Sequence, residues 1–296
     1  MEDCRHTSNN TRFHPPPPAS KIYPIKTTAR AKMKPETLDL LRSPISHEAL
    51  RLVAEIHNDV HIETLAAINS GETFSIEAGV PILLDQSRVV GYNKKYQGFY
   101  NLVAPLYDAS LALGARLVRG SVDQFRMEYI RELELQAGDR LLEVSIGTGA
   151  NMKYLPEDVS CYGVDISKGM LKKCRKNLST WKRECELFLG DAEELPFLDA
   201  QFDSVLHVGG INAFNDRNKA MTEMVRVAKP GAKIVIVDET AKLINKFSWF
   251  PGARRMMKKY GDRFEPPVEL LPDGMNEVEV KEIVHGDLYC LSFRTP

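Results

Sequence analysis

Three observations predict the fold class of this chain. From residue 139 onward, short runs rich in Val, Ile and Leu (140–145, 160–165, 185–189, 204–208 and 232–238) alternate with amphipathic stretches at 167–178 and 216–228. Repeated units of that kind build a parallel sheet covered on both faces. A glycine-rich turn follows the first of these strands, and the chain ends in two strand-like runs, 277–284 and 288–293, joined by His285-Gly286-Asp287. The expectation is an α/β protein: a Rossmann-like, seven-stranded sheet with a terminal antiparallel strand, preceded by a small α+β domain.

Residues 1–34 open the chain with seven Lys or Arg, two acids and the run Pro15-Pro16-Pro17-Pro18. Their few apolar side chains bury too little surface to fold, which predicts a disordered extension. Glu2, Asp3 and the proline run fit a targeting peptide poorly, and Met33 is an alternative start.

Residues 35–88 read as a compact unit of their own. Leu38, Leu40 and Leu41 open it, Ser43-Pro44-Ile45-Ser46 follows, and 74–84 reads as a hairpin turned at Glu77-Ala78-Gly79. This outline resembles the small zinc-ribbon domain of the Trm112 kind, in which positions 43 and 46 are cysteines. Serine hydroxyls do not replace thiolates at a structural zinc, so the resemblance implies a copy lacking zinc ligands. An unrelated α+β cap is the alternative.

Residues 89–296 form the main unit. Within 92–135, Tyr100, Leu102, Val103, Leu106 and Tyr107 fall at helical spacing, interrupted at Pro105. Helices in that position lie across a ligand cleft, which makes Tyr100 and Tyr107 candidates for the substrate pocket; core packing is the other reading. Pro230-Gly231 reads as the stop of helix 216–228.

The turn itself, Glu143-Val144-Ser145-Ile146-Gly147-Thr148-Gly149-Ala150-Asn151, carries the functional signal. Gly147 and Gly149 permit close backbone approach to a ligand. A dinucleotide fingerprint requires a further glycine on each side, yet Ser145 and Met152 occupy those positions. Glu143 places a carboxylate at the strand end, which suits an amine-bearing ligand and repels phosphates. Those features point to S-adenosylmethionine, a nucleoside cofactor that carries an amino acid. In doubly wound sheets ligands bind beyond the carboxyl ends of the strands, and the residues there match one ligand. Asp165 suits the ribose hydroxyls, Asp191 with Ala192 the adenine amino group, and Ile166 with Met170 the adenine ring. His207, at the next strand end, is a candidate base or orienting group because imidazole titrates near neutrality; a structural histidine is the alternative.

Residues 97–296 resemble class I S-adenosylmethionine-dependent methyltransferases. The resemblance rests on Glu143 to Gly149, Gly163-Val164-Asp165, Gly190-Asp191-Ala192-Glu193-Glu194-Leu195-Pro196-Phe197 and Arg226-Val227-Ala228-Lys229-Pro230-Gly231. It implies a cofactor site of Glu143, Ser145, Gly147, Gly149, Asp165, Ile166, Met170, Asp191, Ala192 and His207. Ser145 departs from the usual glycine. Ala104-Pro105-Leu106-Tyr107-Asp108 and Gly210-Ile211-Asn212-Ala213-Phe214-Asn215-Asp216 resemble the ubiquinone and menaquinone C-methyltransferases, with Asn212 where those enzymes carry arginine. Asn212 therefore joins the substrate candidates, but the acceptor is not carried over. Between 241 and 272, Trp249, Phe250, Arg254, Arg255, Met256 and Met257 suit either a substrate pocket or an amphipathic helix.

Composition narrows the remaining classes. The net charge is −1, and no Lys/Arg stripe interleaves with aromatics, which argues against nucleic acid. No apolar run reaches membrane-spanning length, so a cytoplasmic protein acting on a small-molecule methyl acceptor is expected. Cys4, Cys161, Cys174, Cys185 and Cys290 lack metal-cluster spacing, and no metal is expected. The alternative function is a non-catalytic protein that binds the cofactor or a partner.

Overall fold

The computed structural model describes residues 33–57, 60–108, 122–246 and 264–296. Residues 1–32, including most of the basic extension, lie outside them, as do residues 249–257, where the second aromatic and basic cluster was expected.

The main sheet has seven strands: β5 (Arg140–Val144), β6 (Ser160–Asp165), β7 (Glu186–Leu189), β8 (Phe202–Val208), β9 (Ala228–Glu239), β10 (Asn276–Ile283) and β11 (Leu288–Arg294). Their spatial order is β10-β11-β9-β8-β5-β6-β7. The last five are parallel, and β11 runs antiparallel to both neighbours. The chain therefore departs from β5 first to one side and then to the other, leaving a switch point between β5 and β8 where such sheets bind ligands. The inward faces of these strands are fully buried aliphatics such as Leu141, Leu142, Val144, Val205, Leu206, Val235 and Ile236. That explains the continuous apolar runs in the sequence.

Three helices bracket the switch point: α3 (Val122–Arg131), α4 (Lys168–Trp181) and α5 (Arg217–Val227). Ser167 caps α4 by accepting from the Met170 amide, and Asp216 caps α5 through the Lys219 amide. These are the side-chain caps that short polar residues supply at orphan N–H groups. One expectation needs correcting here. Helix α5 ends at Val227, ahead of Pro230-Gly231; that pair instead lies within β9, where the register against β8 shifts between Phe202 and Ser204 and Gly231 takes φ +75°.

The front segment begins with the short helix α1 (Pro35–Leu38), followed by a four-stranded antiparallel sheet of β1 (Leu50–His57), β2 (Val60–Ala67), β3 (Thr73–Glu77) and β4 (Val80–Pro81). The turn at Ala78-Gly79 is where the sequence placed it, and both residues take positive φ. The long β1–β2 hairpin was not foreseen. Its alternation is irregular, and Leu52 and Ile68 stay exposed.

This segment shares its core with the main sheet. Leu40, Leu41, Leu65, Phe74 and Leu83 pack in one cluster with Phe188, Phe197 and Phe202. The three phenylalanines form an edge-to-face chain with centroids 5.1 and 4.9 Å apart. The Leu83 amide donates to Leu189 at 2.8 Å, so the segment also covers the otherwise open edge at β7.

The turn at 43–46 is held by hydrogen bonds. Glu72 accepts from the hydroxyls of Ser43 and Ser46, the latter at 2.9 Å. Ser43 Oγ accepts in turn from the Ile45 and Ser46 amides at 3.0 and 3.1 Å. A carboxylate thus ties the turn at 43–46 to the strand connection at 69–72. Among the described residues no group of three His, Cys, Asp or Glu side chains is arranged to hold a metal.

Candidate cofactor and methyl-transfer site

Helix α2 (Gly91–Val103) crosses the carboxyl ends of the parallel strands. Its polar residues fall four apart, on one face. Asn93 donates to Asp191 and Glu193, Gln97 donates to the Ile166 carbonyl at 2.9 Å, and Asn101 accepts from Ser167 Oγ and the Gly169 amide, both at 2.8 Å. Gly169 makes the close approach possible: a Cβ there would lie 2.9 Å from both the Cα and the carbonyl oxygen of Asn101. Beyond the helix, Asp108 accepts from Thr148 Oγ1 at 2.6 Å and Asn177 at 3.0 Å, fastening the chain to the glycine turn.

Beneath α2 lies a cavity of about 440 Å³. It is lined by Glu143, Ser145, Gly147, Asp165, Ile166, Met170, Asp191 and Ala192, and also by Tyr96, Tyr100, Tyr107, Phe125, Phe214, Asp238 and Glu239. The size and the mixture of apolar wall and few polar groups suit a small-molecule site.

The glycine turn is held open by backbone geometry. Gly147 and Gly149 take φ +57° and +72°, and Ser145 takes φ +60°, a left-handed conformation that glycine adopts at no steric cost. Gly149 does not line the cavity. It sits against Cys174, whose sulfur would be 2.5 Å from an added Cβ.

Asp165 accepts from the Gly147 amide and the Ser167 amide, both at 2.8 Å. Burial nevertheless pushes its carboxyl up to about 6, against the lowering effect of those amides. Glu143 is fully buried and is pushed up to about 8, with burial again dominant over its bond from Asn151. Its Oε2 has no hydrogen-bond partner. A buried, orphaned carboxylate oxygen lining a cavity awaits a donor, and the ammonium of an amino acid supplies one. The residues present therefore fit S-adenosylmethionine. Glu143 would meet its amino group, Asp165 its ribose hydroxyls and Asp191 its adenine amine.

Two candidates stand elsewhere. His207 is fully buried and does not line the cavity. Its Nδ1 lies 3.0 Å from the Val144 carbonyl, which fixes the proton on Nδ1, and its ring packs 5.3 Å from Phe214. Burial lowers its pKa, opposed by Asp238, so the ring is neutral. His207 therefore stands off the cavity, while its neighbours Val208, Gly209 and Gly210 line it. Asn212 also lies off the cavity lining; its amide N–H donates to Asp238 at 3.4 Å.

Sequence reasoning missed several groups that shape the site. The polar stripe of α2 was visible as Asn93, Gln97 and Asn101 at a spacing of four. Arg126, Tyr129 and Asn151 form a second buried network behind Glu143, with Tyr129 Oη donating to Asn151 at 2.6 Å. Asp238 and Glu239, at the end of β9, gave no motif signal.

Residues 142–236 match the family model described as a methyltransferase domain. This chain carries a methyltransferase domain. It is 33% identical over 137 residues to a demethylmenaquinone methyltransferase from Renibacterium salmoninarum, covering 46% of this chain and 55% of that one. It is 30% identical to a ubiquinone/menaquinone biosynthesis C-methyltransferase from Geobacter sulfurreducens, covering 51% of this chain and 60% of the relative. The chain thus spans little more than half the length of these curated relatives. A crystal structure of an S-adenosylmethionine-dependent methyltransferase from Aquifex aeolicus aligns over 58% of this chain and 89% of its own, at 16% identity and a TM-score of 0.43. No described helix is long and apolar enough to cross a membrane.

Proposed function

We propose that this protein transfers a methyl group from S-adenosylmethionine to a small aromatic acceptor bearing a ring hydroxyl. The observation that carries the reading is Glu143: a buried carboxylate with a free oxygen, in the same cavity as Asp165. S-adenosylmethionine supplies an activated methyl group, and the protein's own work is to hold the acceptor in line with it. Tyr100 and Tyr107 meet edge to face with centroids 6.1 Å apart and form part of the cavity wall. A flat ring packs well against such a surface.

Charge supports the same acceptor class. Arg126 is the one Lys or Arg among the described lining residues, against the acids Glu143, Asp165, Asp191, Asp238, Glu239 and Asp287, so the lining disfavours an anionic acceptor. A site rich in carboxylates would hold an amine as ammonium, which has no lone pair for the methyl group. The names of the quinone-modifying relatives support catalysis over mere cofactor binding.

We assign the protein to the cytoplasm, a reading supported by four free thiols among the described residues, Cys161, Cys174, Cys185 and Cys290. We assign residues 35–88 the role of a metal-free structural module on the methyltransferase domain at 89–296. The test is transfer of labelled methyl from S-adenosylmethionine to phenol, catechol and 1,4-dihydroxynaphthalene. Labelled product from one of these and none from the matching anilines is expected; labelling of the anilines alone contradicts the reading.

A further inference from the structure

We propose that Glu239, paired with Asp238 at the end of β9, is the group that takes the proton from the acceptor hydroxyl. The inference rests on the proposed methyl transfer and fills the role that His207, buried off the cavity, does not.

Geometry comes first. Both carboxylates line the same cavity as Tyr100 and Tyr107, and the charge of Glu239 reaches both tyrosines. Asp238 is almost fully buried and committed: its Oδ1 accepts from the Glu239 amide at 2.8 Å and its Oδ2 from the Gly210 amide at 3.2 Å and the Asn212 amide at 3.4 Å. Three backbone donors leave it an acceptor with little freedom to move. Glu239 is hydrogen-bonded to the Asp238 carboxyl and to its own amide, a smaller set of donors than Asp238 holds.

Two carboxyl groups this close do not both ionise readily. The Asp238 charge, followed by burial, holds Glu239 well above the usual carboxylate range. The surrounding groups do not relieve this. Tyr100 and Tyr107 face the pair from the α2 side with pKa values raised by burial, and Tyr289 on β11 is raised likewise. His207 on β8 is neutral, and Lys246 on the helix after β9 is spent on Asp287 at 2.5 Å. A sulfonium brought into the cavity is the missing positive charge and would favour ionised Glu239. A base whose pKa stands above that of an ordinary carboxylate is better matched to a phenolic proton.

The step balances as a simple proton transfer. The acceptor O–H bond breaks with its electron pair left on oxygen, and a new O–H bond forms on the Glu239 carboxylate. The ionised ring then forms the bond to the methyl carbon, through oxygen or the adjacent ring carbon, while the C–S pair stays on sulfur.

The test uses the full chain, first free of cofactor and then saturated with S-adenosylhomocysteine or S-adenosylmethionine. Infrared difference spectra of wild type against Glu239→Gln at neutral pH, without added cofactor, should show a protonated carboxyl band that the variant lacks. Asp238→Asn should shift the pH at which that band disappears downward. With 1,4-dihydroxynaphthalene, Glu239→Gln should lower kcat about 100-fold or more, leave S-adenosylhomocysteine affinity within twofold, and remove the acidic limb of the pH–rate profile; Glu239→Asp should restore part of the rate. Absence of the band, or an unchanged pH profile in Glu239→Gln, overturns the assignment while leaving methyl transfer intact. Failure of wild type to bind either cofactor form overturns both.

Discussion

The side-chain amide of Asn93 donates to both oxygens of Asp191, at 3.1 and 3.3 Å, and to Glu193 at 2.9 Å. One residue of α2 therefore holds Asp191, an acid of the cavity lining. Asp191 is already raised by burial, and Asn93 is among the groups that bring it back down. Asn93→Ala removes that donor and leaves two buried carboxylates short of a partner, a loss of about 1–3 kcal/mol. S-adenosylhomocysteine affinity should fall roughly tenfold, and α2 amides should exchange faster. Calorimetry and hydrogen exchange read the two effects separately.

Ser145 adopts φ +60° where its family resemblance expects glycine. A left-handed L-residue costs about 1–2 kcal/mol, partly offset because glycine gains freedom in the unfolded chain, about 0.4–1 kcal/mol. Ser145→Gly should therefore stabilise the protein by about 0.5–1 kcal/mol. Urea denaturation measures it; a loss of stability would show that the Ser145 hydroxyl has a partner worth more than the strain.

The cavity acids impose a pH dependence whose sign follows from burial. Glu143 and Asp165 stand at about 8 and about 6 in the folded protein, above their unfolded values of 4.5 and 3.8. The folded state then binds protons more tightly, so these two groups make the free protein lose stability as pH rises from about 4 to about 8. Glu143→Gln keeps an acceptor for Asn151 and removes the titration. Its stability relative to wild type should grow between pH 5 and 8 in parallel denaturation curves, while its affinity for S-adenosylmethionine drops.

The front segment is tied by Glu72 between Ser43 and Ser46, without a metal ligand set. Prolonged treatment with a chelator should leave the melting temperature unchanged. Glu72→Ala should cost about 1–3 kcal/mol through the unmet Ser43 hydroxyl, which is fully buried. A chelator-induced drop in melting temperature would replace this account with a metal site.

The parallel strands were legible because burial on both faces writes uninterrupted Val, Ile and Leu runs, and β6 (Ser160–Asp165) matches its expected bounds. The cofactor end was legible because strand ends must carry polar residues and Gly147 must allow φ > 0. The acceptor end was not. His207 and Val208 are neighbours on one strand, and nothing local says which of them faces the cavity. Asp238 and Glu239 come together with the tyrosines of α2 only through folding across more than 130 positions of chain. The β1–β2 hairpin was equally silent, since its exposed apolar residues break the alternation that marks a strand.

Titration of S-adenosylmethionine into wild type and Asp165→Ala tests the account most directly. The expected result is one site in wild type and at least a tenfold weaker site in the variant, whose ribose acceptor is gone. Equal affinity in the two proteins would mean that the cofactor does not sit at Asp165, and the assignment of this cavity would be wrong.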